Sequence, residues 1–327
     1  MAPGGFGPRP QATAAYLAGR LGISQRDVAE LLQVLCHLDL SLGSVAALEQ
    51  QVSMAVATPV AAAVDYVQQQ PVVNADETGW REGTQRRWLW TGVTPRVRVF
   101  LVLATRGKAG VQALLGAMFA GIVGSDRWSG YSWVDTARRQ VCWAHLLRDF
   151  AAFVERGGEP ARVGLALLDV SGQIFGLWYR VRDGTLSRAA FSAAMRPLQA
   201  QVATVLADGT ALEHAKTRRA CQNIVKLTPA LWTFVTVEGV ESTNNAAERA
   251  LRRAVVWRRS FGTQSEAGSR FAERLLTVVT TLRQQDRAVL DYLTVACTAA
   301  LAGHPAPSLL PALSADTAAD LPLRPAA

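Results

Sequence analysis

The chain has 327 residues, half of them hydrophobic and 18% charged, which suits two or three packed units and excludes a wholly disordered polymer. The 34 Lys and Arg outnumber the 26 Asp and Glu for a net charge of +8, so a polyanionic partner fits, although GC-rich coding raises Arg and Ala without any selection for binding. No apolar run reaches the ~18 uninterrupted residues of a membrane span. The four cysteines, Cys36, Cys142, Cys221 and Cys297, are widely spaced without a CxxC, as reduced thiols are. The opening MAPGGFGPRP has no apolar signal core, so a cytoplasmic location is expected.

Residues 1–70 read as a helical segment. Ser24 to Asp27 resembles a capping box before VAELLQVL, and Ser44 is a candidate N-cap for the helix that follows. Two short helices around a turn fit a helix-turn-helix or, with more weight from spacing alone, an ordinary helical hairpin. At Pro71 the texture changes. PVVNADETGW, RRWLWTGVT and RVRVFLVLATRG are β-branched and aromatic stretches and predict three strands. KAGVQALLGAMF has helical spacing, GIVGSDRWSGY predicts a fourth strand and its loop, and RRQVCWAH a fifth running into the helix LLRDFAAFVERG. The β-β-β-α-β, β-α order over 71–159 predicts an α/β fold, a mixed sheet with helices packed on it.

Residues 160–241 predict an all-helical insertion broken at Gly172, Gly184, Pro197, Gly209 and Pro229. Residues 242–302 hold two more helices, the second with a core-facing stripe of Phe271, Leu275, Val278 and Leu282. From 303 to 327, Pro, Ala and Ser without periodicity predict a disordered tail.

Asp76 falls toward the end of the first predicted strand and Asp126 just after the fourth. If those strands are neighbours, two carboxylates 50 positions apart converge, and a divalent cation is the usual remedy for their repulsion. Hard oxygen ligands suit Mg²⁺ or Mn²⁺, and a pair of such ions suits phosphodiester chemistry. Glu248 shares a predicted helix face with Asn244 and Arg252; taken alone it reads equally as a solvated Glu–Arg pair.

Asp76-Glu-Thr-Gly-Trp, Ser125-Asp-Arg-Trp-Ser-Gly-Tyr, Cys142-Trp-Ala-His145 and Asn244-Asn-Ala-Ala-Glu-Arg249 together resemble the successive blocks of the insertion sequence 66 family of bacterial DDE transposases, over residues 8 to 300. The resemblance implies a ribonuclease H-like catalytic domain with helices on both faces of its sheet. It also implies that Asp76, Asp126 and Glu248 bind two Mg²⁺ (or Mn²⁺) ions and cut and rejoin DNA at element ends. The helical insertion then explains the long spacing before Glu248. Glu77, Asn244, Cys142 and His145 are expected to support the site; Cys142 and His145 resemble a C-x-x-H element, and two ligands do not close a zinc site.

Residues 242–288 carry nine arginines and four acids, which makes Arg249, Arg252, Arg253, Arg258 and Arg259 candidates for DNA phosphate contacts. Trp128 and Trp257 are candidates for stacking on an unpaired base, whereas Trp88, Trp90 and Trp143 read as core. No G-x-x-x-x-G-K-[ST] loop is present, so no nucleotide is expected. The partners implied are DNA, a homodimer or higher oligomer on it, and companion proteins of the same element, in a nucleoid-associated setting. Two other readings share the fold: a truncated or domesticated DNA-binding relative that no longer cuts, and a structure-specific nuclease. The resemblance also implies a longer N-terminal region than this chain has, so incomplete end recognition is an expectation.

Overall fold

A computed structural model of the chain describes residues 5–260 and 262–311, and of 259 and 260 the backbone alone. Its architecture is mixed α/β, one five-stranded mixed sheet with many helices. Among the described residues two compact units form. The first comprises residues up to Tyr66, Pro95–Phe100 and those from Thr263 on; the second comprises Val67–Thr94 and Leu101–Gly262. The units therefore do not follow linear segments, because helices from both ends of the chain share the first one.

In the first unit, α1 (Pro8–Ala15) runs into a π-helical turn and is followed by α2 (Gln25–Cys36), α3 (Leu42–Ala55) and α4 (Ala57–Gln68), with α13 (Glu266–Gln284) and α14 (Val289–Leu301) from the far end of the chain. Ser24 caps α2 by accepting from the Asp27 N–H, as its box predicts. The cap of α3 is Ser41 and not Ser44, whose own N–H donates to Ser41 Oγ; of the two serines three apart, the earlier has the extended backbone a cap needs. The stripe on α13 is buried, with Phe271, Leu275, Val278 and Leu282 each at most 3% exposed. Its Thr277 and Thr281 hydroxyls accept the N–H groups of Phe100 and Arg98. Side chains thus close an edge of strand backbone that would otherwise invite pairing.

The expectation of a disordered tail from 303 is corrected for its first nine residues. Leu309 is fully buried, and the carbonyls of Pro307, Ser308 and Leu309 accept from Tyr292, Arg287 and Gln285. One leucine in an aperiodic stretch suffices to anchor it. Residues 312–327 lie outside the described residues.

The second unit holds β1 (Val72–Glu82), β2 (Gln85–Val93), part of β3 (Arg98–Leu103), α5 (Lys108–Leu115), β4 (Ile122–Ser125), β5 (Arg139–Val141) and α6 (Trp143–Val154). The sheet order is β3-β2-β1-β4-β5, with β1 antiparallel to β2 and parallel to β4, and β4 parallel to β5. From there to α12 (Asn245–Ser260) the chain is helical: α7 (Gly158–Arg182), α8 (Arg188–Ala211), α9 (Ala215–Val225) and the short α10 (Thr228–Leu231) and α11 (Thr233–Thr236). Gly172, Pro197 and Gly209 do not break these helices as expected. Gly209 stays helical for a packing reason, since a Cβ there would lie 2.4 Å from Cys221 Sγ on α9. Trp143, Phe150, Phe153, Ile174, Phe191 and Phe234 form one buried cluster that joins these helices to α6, each worth about 1.5–3 kcal/mol on burial.

Candidate functional site

Strand register decides where the two aspartates go. The parallel β1–β4 ladder pairs Val72 with Ile122 and Asn74 with Gly124, an offset of 50 residues, and Asp76 and Asp126 are separated by the same offset. Adjacent strands run about 4.8 Å apart, so continuing the register by two residues sets Asp76 beside Asp126 where β4 ends. A Cβ on Gly124 would meet Asn74 Oδ1 at 2.4 Å, so glycine leaves room for the asparagine in this ladder. Asp76 is not at the end of its strand as expected; β1 continues to Glu82 because it pairs with β2 along its whole further length.

Helix α12 is docked along β1. Asn244, just before the helix and 1% exposed, donates its side-chain amide to the Ala75 carbonyl at 2.9 Å. Arg258 donates to the Gly79 carbonyl at 2.7 Å, and Trp257 meets Trp80 edge to face at 6.3 Å. Glu248 lies in the first turn of α12 and therefore near Asp76. The Asp76 carboxyl is pushed up to about 7, first by burial, against a hydrogen bond from the Glu77 N–H, and further by the carboxylates of Glu77, Asp126 and Glu248. Asp126 is held by the Trp128 N–H at 2.8 Å.

The start of α6 meets the start of α12. The Trp143 N–H donates to the Ser242 carbonyl, and the Asn244 N–H to Cys142 Sγ at 3.1 Å. Cys142, His145 and Glu248 consequently bring one ligand atom each to within 4.8 Å of one another. Asp76 and Asp126 are outside that tight group. His145 Nδ1 and the Arg148 guanidinium both stand 3.6 Å from Glu248 Oε1, beyond hydrogen-bond range. Among the described residues neither His145 Nδ1 nor Glu248 Oε1 has a hydrogen-bond partner, although both atoms are buried. Burial and then Arg148 hold the His145 imidazole below its ordinary value, while burial raises the Cys142 thiol against opposing backbone N–H groups. A cleft of about 380 Å³ opens here, lined by Asp126, Arg127, Trp128, His145, Arg148 and Asp149.

Glu77 points to the opposite face of β1 from Asp76. It is buried, accepting from Arg106 at 2.8 Å and from the Tyr131 hydroxyl at 3.3 Å. Burial raises its carboxyl, and Arg106 pulls it back. Arg106 in turn lies against Trp88 and Trp128, 5.0 and 4.0 Å from their ring centres. Glu77 thus braces the turn that carries Asp126.

With this geometry in place, the comparisons are specific. The family model described as Transposase IS66 family matches residues 4–270. The chain belongs to that family. The family is one of DDE transposases of insertion sequences, which groups the chain with nuclease-type enzymes and implies DNA and divalent metal ions. No curated protein matches the chain. No helix among the described residues is long and apolar enough to cross a membrane.

Several expected site residues of this transposase have other duties. Trp257 is 6% exposed, because it continues the buried face of Ala247, Ala250 and Ala254, so it offers no ring to a base. Arg258 is committed to the Gly79 carbonyl. Asn244 is buried at the helix start and does not share a polar stripe with the exposed Arg252. Arg249 and Arg252 are exposed, Arg253 is half-buried, and the Arg259 side chain lies outside the described residues. Trp128 is half-buried, with Arg106 over its ring. Trp90 and Trp143 are core, while Trp88 is half-buried beneath Arg86 and Arg106. Sequence reasoning missed Arg106, Tyr131, Arg148 and the Arg127–Asp149 ion pair. For Arg148 and Asp149 a signal existed, since they follow His145 at helical spacing and share its face.

Proposed function

We propose that this transposase cuts DNA strands at the ends of its element and joins them to a target, using a ribonuclease H-like catalytic domain in which Asp76, Asp126 and Glu248 hold two Mg²⁺ (or Mn²⁺) ions. The observation that carries the reading is the 50-residue register offset of β1 and β4, matched by Asp76 and Asp126, with α12 docked on β1 so that the Glu248 carboxylate acts on Asp76. The strand order β3-β2-β1-β4-β5, with β2 antiparallel, supports the fold assignment.

The residues fit the ions on their own chemistry. Asp76 is raised to about 7 first by burial and then by the carboxylates of Glu77, Asp126 and Glu248, a setting in which a divalent ion would favour the ionised form. Glu248 Oε1 is buried without a hydrogen bond among the described residues, its cationic neighbours standing at 3.6 Å, and carboxylate oxygens are the donors that hard divalent ions take. When bound, such a pair activates an attacking oxygen and stabilises a leaving one. The protein's part is to fix the acids. Asn244 fastens α12 to the strand that carries Asp76, and the Trp128 N–H orients Asp126. Water and then a DNA 3′ hydroxyl attack in line, without a covalent protein intermediate. Arg249 and Arg252 lie exposed on α12 beside Glu248 and would take backbone phosphates. Synapsis of two ends calls for a homodimer or higher oligomer on DNA.

The test is a Mg²⁺-dependent assay with inverted-repeat ends and a branched duplex as control. Cleavage and joining at the ends, lost in Asp76→Asn, Asp126→Asn and Glu248→Gln, is the expected result. Cleavage confined to branched DNA would indicate a structure-specific nuclease, and end binding without cutting would indicate a DNA-binding relative.

A further inference from the structure

We propose that Cys142, His145 and Glu248 together hold one divalent ion, and that this position takes Zn²⁺ or Co²⁺ in preference to Mg²⁺. The inference rests on the reading of Glu248 as an ion-binding residue and adds the two donors beside it.

The first argument is convergence. A thiol, an imidazole and a carboxylate from two helix starts bring their ligand atoms within 4.8 Å of one another. Two of these atoms, His145 Nδ1 and Glu248 Oε1, are buried without a hydrogen-bond partner among the described residues. They stand 3.6 Å apart, too far for a hydrogen bond to each other; leaving both without one is costly, and a cation between them satisfies both. Three protein ligands with one position left open is the composition of an accessible zinc site, whereas two would not be.

The surroundings of the sulfur point the same way. The Asn244 N–H donates to Cys142 Sγ at 3.1 Å, against the burial that raises the thiol. Such a donor favours the negative sulfur that a metal ligand must be, a cation beside it would do so further, and ligation would release the thiol proton to solvent. The Arg148 guanidinium stands 3.6 Å from Glu248 Oε1 on a side chain 64% exposed, so it can turn out to solvent when an ion takes its place.

The donor set then decides the ion. Carboxylates alone suit Mg²⁺ and Mn²⁺; thiolate and imidazole shift selection toward Zn²⁺ and its spectroscopic substitute Co²⁺. Glu248 would be shared between an oxygen-rich side facing Asp76 and a sulfur–nitrogen side facing α6.

The experiment is a titration of the full-length reduced chain with Co²⁺, read by the sulfur-to-cobalt charge-transfer absorption in the near ultraviolet. The expected result is a band saturating at one Co²⁺ per chain, displaced by Zn²⁺ and not by excess Mg²⁺. Cys142→Ser should abolish it, and Cys36→Ser, which removes the exposed thiol, should leave it intact. Absence of the band, its survival in Cys142→Ser or its loss in Cys36→Ser overturns the proposal. If Cys142→Ser fails to fold, zinc-edge X-ray absorption on the unaltered chain decides: one sulfur near 2.3 Å upholds the site, and an all-oxygen-and-nitrogen shell overturns it. Asp76→Asn separates the two readings, because it should keep the band while losing Mg²⁺-dependent cleavage. A chain that cleaves through Asp76, Asp126 and Glu248 without a band sinks only this inference. A band in a chain that never cleaves sinks only the proposed function.

Discussion

Glu77 and Glu248 are both shielded carboxylates of the second unit, and their surroundings are opposite. Glu77 is finished: its side chain is 1% exposed, Arg106 and Tyr131 take its oxygens, and Trp88 and Trp128 flank the arginine. Glu248 is unfinished: a third of its side chain is exposed, its cationic neighbours stay at 3.6 Å, and one buried oxygen has no hydrogen bond. A carboxylate whose bonds are all made inside the protein serves the fold. One left short of them beside an open cleft serves whatever enters it.

The sharpest way to break this contrast is to neutralise each acid's environment. Glu248→Gln is expected to lower strand cleavage by about 10³-fold or more, the scale of losing a group aimed at developing charge. The same change should leave stability within about 0.5 kcal/mol, since the charge lost from the first turn of α12 and from the exposed Arg148 is offset by relief of the repulsion between Glu248 and Asp76. Arg106→Ala should behave in the opposite sense. It strands the Glu77 charge and is expected to cost about 3 kcal/mol at neutral pH by chemical denaturation. The deficit should shrink as pH falls through the raised folded values of Glu77, which lie above 4.5, and be smallest below pH 4.5, where Glu77 folds as the neutral acid in both proteins. If Glu248→Gln unfolds the chain while Arg106→Ala is silent, the roles assigned to the two acids are reversed.

How far this contrast could be read beforehand follows from the distance over which each partner acts. Asp76 and Asp126 stood out because each follows a short β-branched run, a property of nearby residues, whereas the register that pairs their strands belongs to the fold; the α13 stripe is a periodicity within one helix. The braces of Glu77 come from Arg106 and Tyr131, 29 and 54 residues away; no local pattern marks Arg106, and the block that ends in Tyr131 does not tell that its hydroxyl meets Glu77. Trp257 and Arg258 look like a DNA-facing pair from charge and aromaticity, yet helix phase turns the tryptophan inward and a strand carbonyl takes the arginine. Gly172, Pro197 and Gly209 signal breaks locally, and tertiary packing holds α7 and α8 through all three.

Glu49 in the first unit is an intermediate case. It is 6% exposed and has one neutral partner, the Gln25 amide at 2.6 Å, and burial pushes its carboxyl up to about 7 against that hydrogen bond. Because the folded value lies above the unfolded 4.5, its contribution is fully present below pH 4.5 and is lost as pH rises toward 7. Glu49→Gln keeps the shape and an acceptor without the ionisation. Relative to the parent chain it should gain about 2 kcal/mol at pH 8 and nothing at pH 4, seen as a melting-temperature difference that opens between those values. A constant difference across the range would mean that Glu49 is ionised and paired in the folded protein.

The smallest expected effect separates arginines that face solvent from one that serves the fold, both on α12. Arg252 is exposed, and replacing it with Ala should weaken DNA binding modestly, independently of sequence, and flatten the dependence of log affinity on log salt by about one unit. Arg258 spends its guanidinium on the Gly79 carbonyl. Arg258→Ala should therefore leave the salt slope unchanged and cost about 1–2 kcal/mol of stability through the carbonyl it abandons. Salt titrations and denaturation curves on the two variants read both quantities. Equal slopes for Arg252→Ala and the parent chain would remove α12 from the DNA-binding surface, and Glu248 would then have to meet its substrate without a flanking phosphate contact from this helix.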